Sequence, residues 1–268
     1  MPSQPSAGHL VLRAAAVALV VGALCTAPAQ ASEGAEDHFA GSQIAKHEGT
    51  GEMLMTPPDL GVGRVDGIDV SSHQGAVDWG HWWNNGKRFA YIKATEGTNY
   101  KNPNFTQQYN GSYNVGMTRG AYHFALPDRS DGATQARYFV ANGGGWSRDG
   151  RTLPGTLDIE YNPYGGDTCY GLSPAAMVGW IKSFSDTYQA LTKRWPVIYT
   201  STLWWDRCTG RTGDFSSTNP LWVARYAPSV GPMPFQWPFH TIWQFTSSPI
   251  DQNVFNGGAD RLAALATG

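Results

Sequence analysis

Between residues 65 and 192, short β-prone apolar runs alternate with helical segments, and this alternation limits the fold more than any other feature of the chain. Residues 65–70 read as a first strand that ends in the turn-prone run Ser71, Ser72, His73, Gln74, Gly75. Asp78 caps a short helix through Trp83, which Asn84, Asn85 and Gly86 stop. Residues 89–94 and 118–125 read as strands, with helices over 104–114 and 133–141. Ser173 and Pro174 then open a helix with a cap followed by proline at the first helical position. Met177, Ile181, Phe184, Tyr188 and Leu191 recur at spacings of four and three, which gives that helix one apolar stripe. Such alternation belongs to parallel β-α units. Past residue 195 the pattern changes: 196–200, 221–224 and 241–245 read as strands joined by Pro- and Gly-rich loops with little room for full helices. The expected class is α/β, a barrel begun by β-α units and closed by plainer strands. Residues 65–268 suffice for one core of this size and are too few for two.

Within this frame, Leu157, Asp158, Ile159, Glu160 and Tyr161 read as a short buried strand. Alternation places Asp158 and Glu160 on one face, about 6.5 Å apart along the strand. At that separation repulsion and a dry surround raise one pKa while the other group stays ionised, as general acid catalysis at a glycosidic bond requires. A surface strand can carry the same letters by chance, so context decides. In a parallel barrel the strand ends gather at one rim. Four acids stand at such ends: Asp69, Asp158, Glu160 and, in the loop after the last clear strand, Asp251. Each also has a plainer reading as a turn cap or a rim ion pair.

The N-terminus carries an apolar run over 14–24, preceded by Arg13 and followed by Ala29, Gln30, Ala31, the small-x-small form of a signal-peptidase site. Cleavage after Ala31 and export are expected, since the run is well short of the ~20 apolar residues that span a bilayer. Leu24 stands where a small residue would precede a lipid-anchored Cys25, so lipidation is not expected. The mature chain then keeps Cys169 and Cys208, an even pair in an oxidising compartment, and one disulfide is expected. Residues 32–64 are polar, rich in Gly, Pro and acids, with a net charge of −4, and read as a flexible leader or pro-segment. Residues 65–268 balance sixteen basic against fifteen acidic groups, which argues against nucleic acid as the main partner. No C-x-x-C or H-E-x-x-H occurs, so no metal site is expected and His73, His81, His123 and His240 read first as hydrogen-bonded structural residues. Eleven Trp and twelve Tyr either stack on carbohydrate or fill the core. No repeats are present, so a tandem wall-binding array is not supported.

Several segments, in order over nearly all of 65–268, give the chain a close resemblance to glycoside hydrolase family 25, the Chalaropsis-type lysozymes. They are Gly67-Ile68-Asp69-Val70-Ser71 with Gln74-Gly75, FAYIKATEG at 89–97, RGAYHF at 119–124, LDIE at 157–160, PVIYT at 196–200, LWVARY at 221–226 and IWQF at 242–245. The resemblance implies a single-domain, irregular TIM-like (β/α)5(β)3 barrel at 65–268, preceded by a signal peptide at 1–31 and the leader at 32–64. It implies a secreted, monomeric N-acetylmuramidase that cuts the β-1,4 bond between N-acetylmuramic acid and N-acetylglucosamine in peptidoglycan. No cofactor, nucleic acid or membrane partner is implied for the mature form. Glu160 matches the proton donor, with a pKa raised by Asp158 and an apolar wall. Asp158 is expected to stay ionised and stabilise positive charge, either as nucleophile or by steadying a cyclic ion formed by the substrate's acetamido group. Asp69 and Asp251 are assigned to orienting these groups. Lys93, Glu96, Tyr122, Tyr199, Trp222 and Tyr226 fall in the matching segments as cleft residues, with Tyr122 and Tyr199 bonding and stacking on the sugar. Lys93 and Glu96 read equally well as a rim ion pair. The rival classes are a peptidoglycan-binding protein that has lost turnover and an exported chitinase-like hydrolase.

Overall fold

The computed structural model describes residues 1–3, 38–50 and 63–268. The expected export signal beyond its first three residues, the expected cleavage site after Ala31, and residues 32–37 and 51–62 lie outside the described residues. In chain order the elements are α1 (Ser42–Glu48), β1 (Val65–Val70), α2 (Trp79–Asn84), β2 (Phe89–Glu96), β3 (Tyr100–Lys101), α3 (Phe105–Asn114), β4 (Thr118–Phe124), α4 (Gly132–Phe139), β5 (Thr156–Asp158), α5 (Pro174–Thr192), β6 (Val197–Thr200), α6 (Thr202–Thr209), β7 (Leu221–Ala224), β8 (Ile242–Thr246), β9 (Gln252–Phe255) and α7 (Ala259–Thr267).

Eight strands close a barrel in the order β1-β9-β8-β7-β6-β5-β4-β2, shut by the parallel β1–β2 pair, while β3 is a two-residue hairpin appended to β2. Neighbours from β1 through β8 run parallel, and β9 alone runs antiparallel to both its partners. Helices follow β1, β2, β4, β5 and β6, and none stands between β7, β8 and β9. The architecture is therefore the expected (β/α)5(β)3 barrel.

Strand alternation explains how the wall is covered. On β2, Ala90 and Ile92 pack outward in a cluster with Val77, Trp79 and Met117, while Phe89 and Tyr91 belong to the main core. Two glycines make room for these rings in the narrow interior. A Cβ on Gly67 would lie 2.4 Å from the Phe89 ring, and one on Gly120 would lie 2.3 Å from the Tyr91 ring. The predicted caps are present: Asp78 accepts from the His81 N–H at 3.0 Å, and Ser173 from the Ala176 N–H at 3.3 Å. Met177, Ile181, Phe184 and Tyr188 are fully buried, but Leu191 at the end of the stripe is 50% exposed, one residue before α5 stops.

Several elements depart from the sequence reading, beginning with α1, which forms within the leader read as flexible. After β6, Ser201 caps α6 by accepting from Trp204 N–H at 3.1 Å, so one of the loops judged too short does hold a helix. β9 and α7 follow the strand taken as the last clear one. β5 ends at Asp158, although extended pairing runs one residue further through Ile159 N–H to Tyr199 C=O at 3.0 Å.

Cys169, in the loop after β5, is bonded to Cys208 on α6, as expected from the cysteine count. The bridge closes a sequence separation of 39 residues and so limits the unfolded chain. Replacing both cysteines by alanine is expected to cost roughly 3–4 kcal/mol in denaturant unfolding. An unchanged midpoint would show that the bridge contributes nothing to stability.

Candidate active site

The four acids predicted from strand ends meet at one rim. Asp69 is the fifth residue of β1, Asp158 closes β5, and Glu160 follows two residues later. Asp251 precedes β9, and because β9 runs antiparallel its start lies where the parallel strands end. The Asp69 N–H donates to the Asp251 carbonyl at 3.2 Å, which ties the two segments together. All four carboxyls are buried.

Their hydrogen-bond donors are unequally shared. Asp69 Oδ2 accepts from Gln244 Nε2 at 2.9 Å and Asn253 Nδ2 at 2.7 Å. Glu160 accepts three backbone N–H groups: Gly41 on Oε1 at 2.8 Å, then Gln43 at 3.0 Å and Ile44 at 2.8 Å on Oε2. Neither carboxyl oxygen of Asp158 has a hydrogen-bond partner among the described residues.

Burial dominates the titration of the group. It pushes Glu160 up to about 8 against the pull of the three N–H donors, with the charge of Glu48 adding to the rise. It pushes Asp69 up to about 7 against the hydrogen bonds from Asn253 and Gln244. Asp158 is also raised well above the carboxylate range, first by burial and then by the charge of Glu160, with Lys93 opposing. Asp251 is raised by burial, then by Asp69 and Glu160. Two expectations are corrected here. Of the two causes expected for Glu160, burial is the main one and the added charge is that of Glu48 rather than Asp158, while Asp158 does not keep an ordinary carboxylate pKa in this covered site.

The other predicted residues divide into two layers. Lys93 Nζ donates to Glu96 Oε2 at 2.7 Å, and both are buried, so the pair is an ion pair inside the cleft rather than on an exposed rim. The Tyr164 hydroxyl donates to Glu96 Oε1 at 2.8 Å. Tyr199 and Tyr226 each donate a hydroxyl to Gln244 Oε1 at 2.7 Å, and the Tyr122 hydroxyl accepts from Ala40 N–H at 3.3 Å. Trp222 lies one layer deeper. It stacks on Tyr91 at 4.9 Å, meets Tyr199 edge-on at 4.7 Å, and donates from Nε1 to Asn253 Oδ1 at 2.8 Å. It forms a floor that fixes the Asn253 donor under Asp69, which is a different place from the cleft wall expected of it. His123 is a structural residue, paired with Thr95 Oγ1 at 2.7 Å and Gln135 Oε1 at 2.9 Å. His240 is buried, but its Nε2 has no partner among the described residues.

Sequence reasoning missed Gln244 and Asn253. Gln244 had a signal, since it is the one polar letter in IWQF and alternation turns it inward. Asn253 had none, because its strand was not recognised.

The chain matches the family model described as glycosyl hydrolases family 25 over residues 68–254. It is 47% identical over 234 residues to Lysozyme M1 of Streptomyces globisporus, covering 84% of this chain and 79% of that protein. It is 50% identical over 214 residues to an N,O-diacetylmuramidase of Chalaropsis sp., covering 76% of this chain and all of that one. Among solved structures, a muramidase from Acremonium alcalophilum is 56% identical with a TM-score of 0.75, over 76% of this chain and 99% of that chain. Residues 65–268 make up about 76% of this chain, so the Streptomyces match runs on into the residues before the barrel.

An acid with a raised folded pKa binds its proton more tightly in the folded chain, so its contribution to stability falls as pH rises from the unfolded to the folded value. For Asp69 that window runs from about 4 to about 7. The melting temperature of Asp69→Asn should therefore gain on the parent protein across this window and level off above it. A difference that stays constant with pH would contradict the burial account of Asp69.

Proposed function

The chain belongs to glycosyl hydrolases family 25, and from that premise we propose that it is an exported muramidase cutting the β-1,4 bond between N-acetylmuramic acid and N-acetylglucosamine in bacterial peptidoglycan. The observation that carries this reading is the convergence of four buried acids at one barrel rim, Glu160 among them.

Glu160 acts as the proton donor to the glycosidic oxygen as the bond to the anomeric carbon breaks. Positive charge then grows on the sugar. Asp158, whose oxygens have no hydrogen-bond partners among the described residues, is the group placed to meet it. It does so either by bonding to the anomeric carbon or by steadying a ring closed by the acetamido oxygen. Asp69 is fixed by Gln244 and Asn253, and it lies with Asp251 beside the same space. Tyr122, Tyr199 and Tyr226 present hydroxyls to the sugar beside the broken bond, and Lys93 and Glu96 bound the cleft. The wider reading is a signal peptide at 1–31 removed on export, a leader at 32–64, and a monomeric catalytic barrel at 65–268. The small-x-small site and the disulfide support the export part of it.

Glu160→Gln is expected to lose about 10²–10⁴-fold in the clearing of purified wall, with circular dichroism showing that the barrel is still folded. Near-parental clearing would remove Glu160 from the donor role. Mass analysis of the muropeptides released by the parent enzyme should show muramic acid at the reducing end. Glucosamine reducing ends would assign a different bond.

A further inference from the structure

We propose that leader residues 38–50 are an intramolecular inhibitor, which fills the acidic cleft with main chain and one short helix and must leave before wall glycan can enter. This presupposes that the cleft is the active site.

The segment meets Lys93, Glu96, Tyr122, Tyr226 and Glu160 of the residues assigned to the cleft. His38 lies against the Lys93–Glu96 pair, with its Nδ1 2.9 Å from Glu96 Oε1 and its carbonyl accepting from Lys93 Nζ at 2.7 Å. The Ala40 N–H donates to the Tyr122 hydroxyl, and the Ala40 carbonyl accepts from Gln244 Nε2 at 3.2 Å. The Gly41 carbonyl accepts from the Tyr226 hydroxyl at 3.4 Å. The N–H groups of Gly41, Gln43 and Ile44 then engage both oxygens of Glu160. At the far end of α1, Glu48 accepts from the hydroxyls of Tyr161 and Ser201, and the His47 ring stacks on Tyr161 at 4.3 Å. His38, Ala40, Gln43 and Ile44 are buried.

Two consequences follow from this geometry. With both Glu160 oxygens taken by peptide N–H groups, a glycosidic oxygen has no approach to that carboxyl. The segment is also shaped to the cleft. Gly41 has φ +89°, and a Cβ there would lie 2.0 Å from the Tyr226 hydroxyl and 2.7 Å from both Gln244 Oε1 and the Tyr199 hydroxyl. A side chain at this position would collide with the site itself.

The covalent link makes even modest contacts effective. A segment tethered by a short connection meets its site at millimolar effective concentration, whereas the same segment cut free is diluted into solution. One cut anywhere in residues 51–62 severs segment 38–50 from the barrel. The two α1 contacts furthest from the acids, Glu48 and His47, then no longer have the chain to hold them in place.

The test uses the full secreted chain carrying a site-specific protease sequence within residues 51–62. Clearing of purified wall is measured before cutting and after cutting with the released peptide removed by gel filtration. The cut enzyme should clear wall at least about tenfold faster, and a synthetic peptide of residues 38–50 should slow it again. In the uncut chain Gly41→Val should raise clearing, because the added side chain cannot be accommodated against Tyr226 and Gln244. Equal rates before and after cutting, or an uncut Gly41→Val chain as slow as its parent, would overturn the inhibitor while leaving the active site in place. If neither form clears wall, the assignment of the cleft fails and the inhibitor fails with it.

Discussion

The site depends on the burial of four carboxyl groups at one end of a barrel without a matching set of cations. Lys93 is the nearby cation, and its charge is shared with Glu96. Three of the acids differ in the hydrogen-bond donors they receive among the described residues: two side-chain amides on Asp69, none on Asp158, and three peptide N–H groups on Glu160. Donors favour the charged form and burial favours the neutral one, and burial prevails even at Glu160, where three donors oppose it. Removing water without adding counter-charge costs stability, and active sites are where such costs concentrate.

The lower barrel makes that arrangement possible. Glycines at 67 and 120 admit Phe89 and Tyr91 to a narrow interior, and Tyr91 stacks on Trp222. From this packed layer Trp222 positions Asn253, and Asn253 positions Asp69. On the other side Tyr199 and Tyr226 both donate to Gln244 Oε1, which orients its amide nitrogen toward Asp69. The acids thus rest on a rigid aromatic floor through amide side chains whose direction is set by their other hydrogen bonds.

Much of this was legible in the sequence where periodicity is strong. The stripe on α5 and the caps at Asp78 and Ser173 carry a local signal with one reading, while the pair in LDIE needed its context to be told from a surface strand. The exceptions have physical causes. β9 is four residues long and turns Asn253 toward an acid, so it lacks the apolar alternation that marks a strand. α6 is a short helix held by the Ser201 cap and the disulfide, between loops that read as too tight. The helix in the leader has no local signal at all. Seven residues are marginal as an isolated helix, and its first turn is fixed by Glu160, more than a hundred positions away. Residues whose structure is set by distant partners are the ones a local reading leaves out, and here they are also the ones that cover the site.

The central claim is that desolvation keeps the Glu160 carboxyl neutral at physiological pH. It is tested most directly by following that carboxyl in the full chain labelled with ¹³C at glutamate Cδ, with Glu160→Gln as the assignment control. The account predicts a titration near pH 8. A Glu160 signal that titrates near 4.5, the ordinary glutamate value, would contradict it.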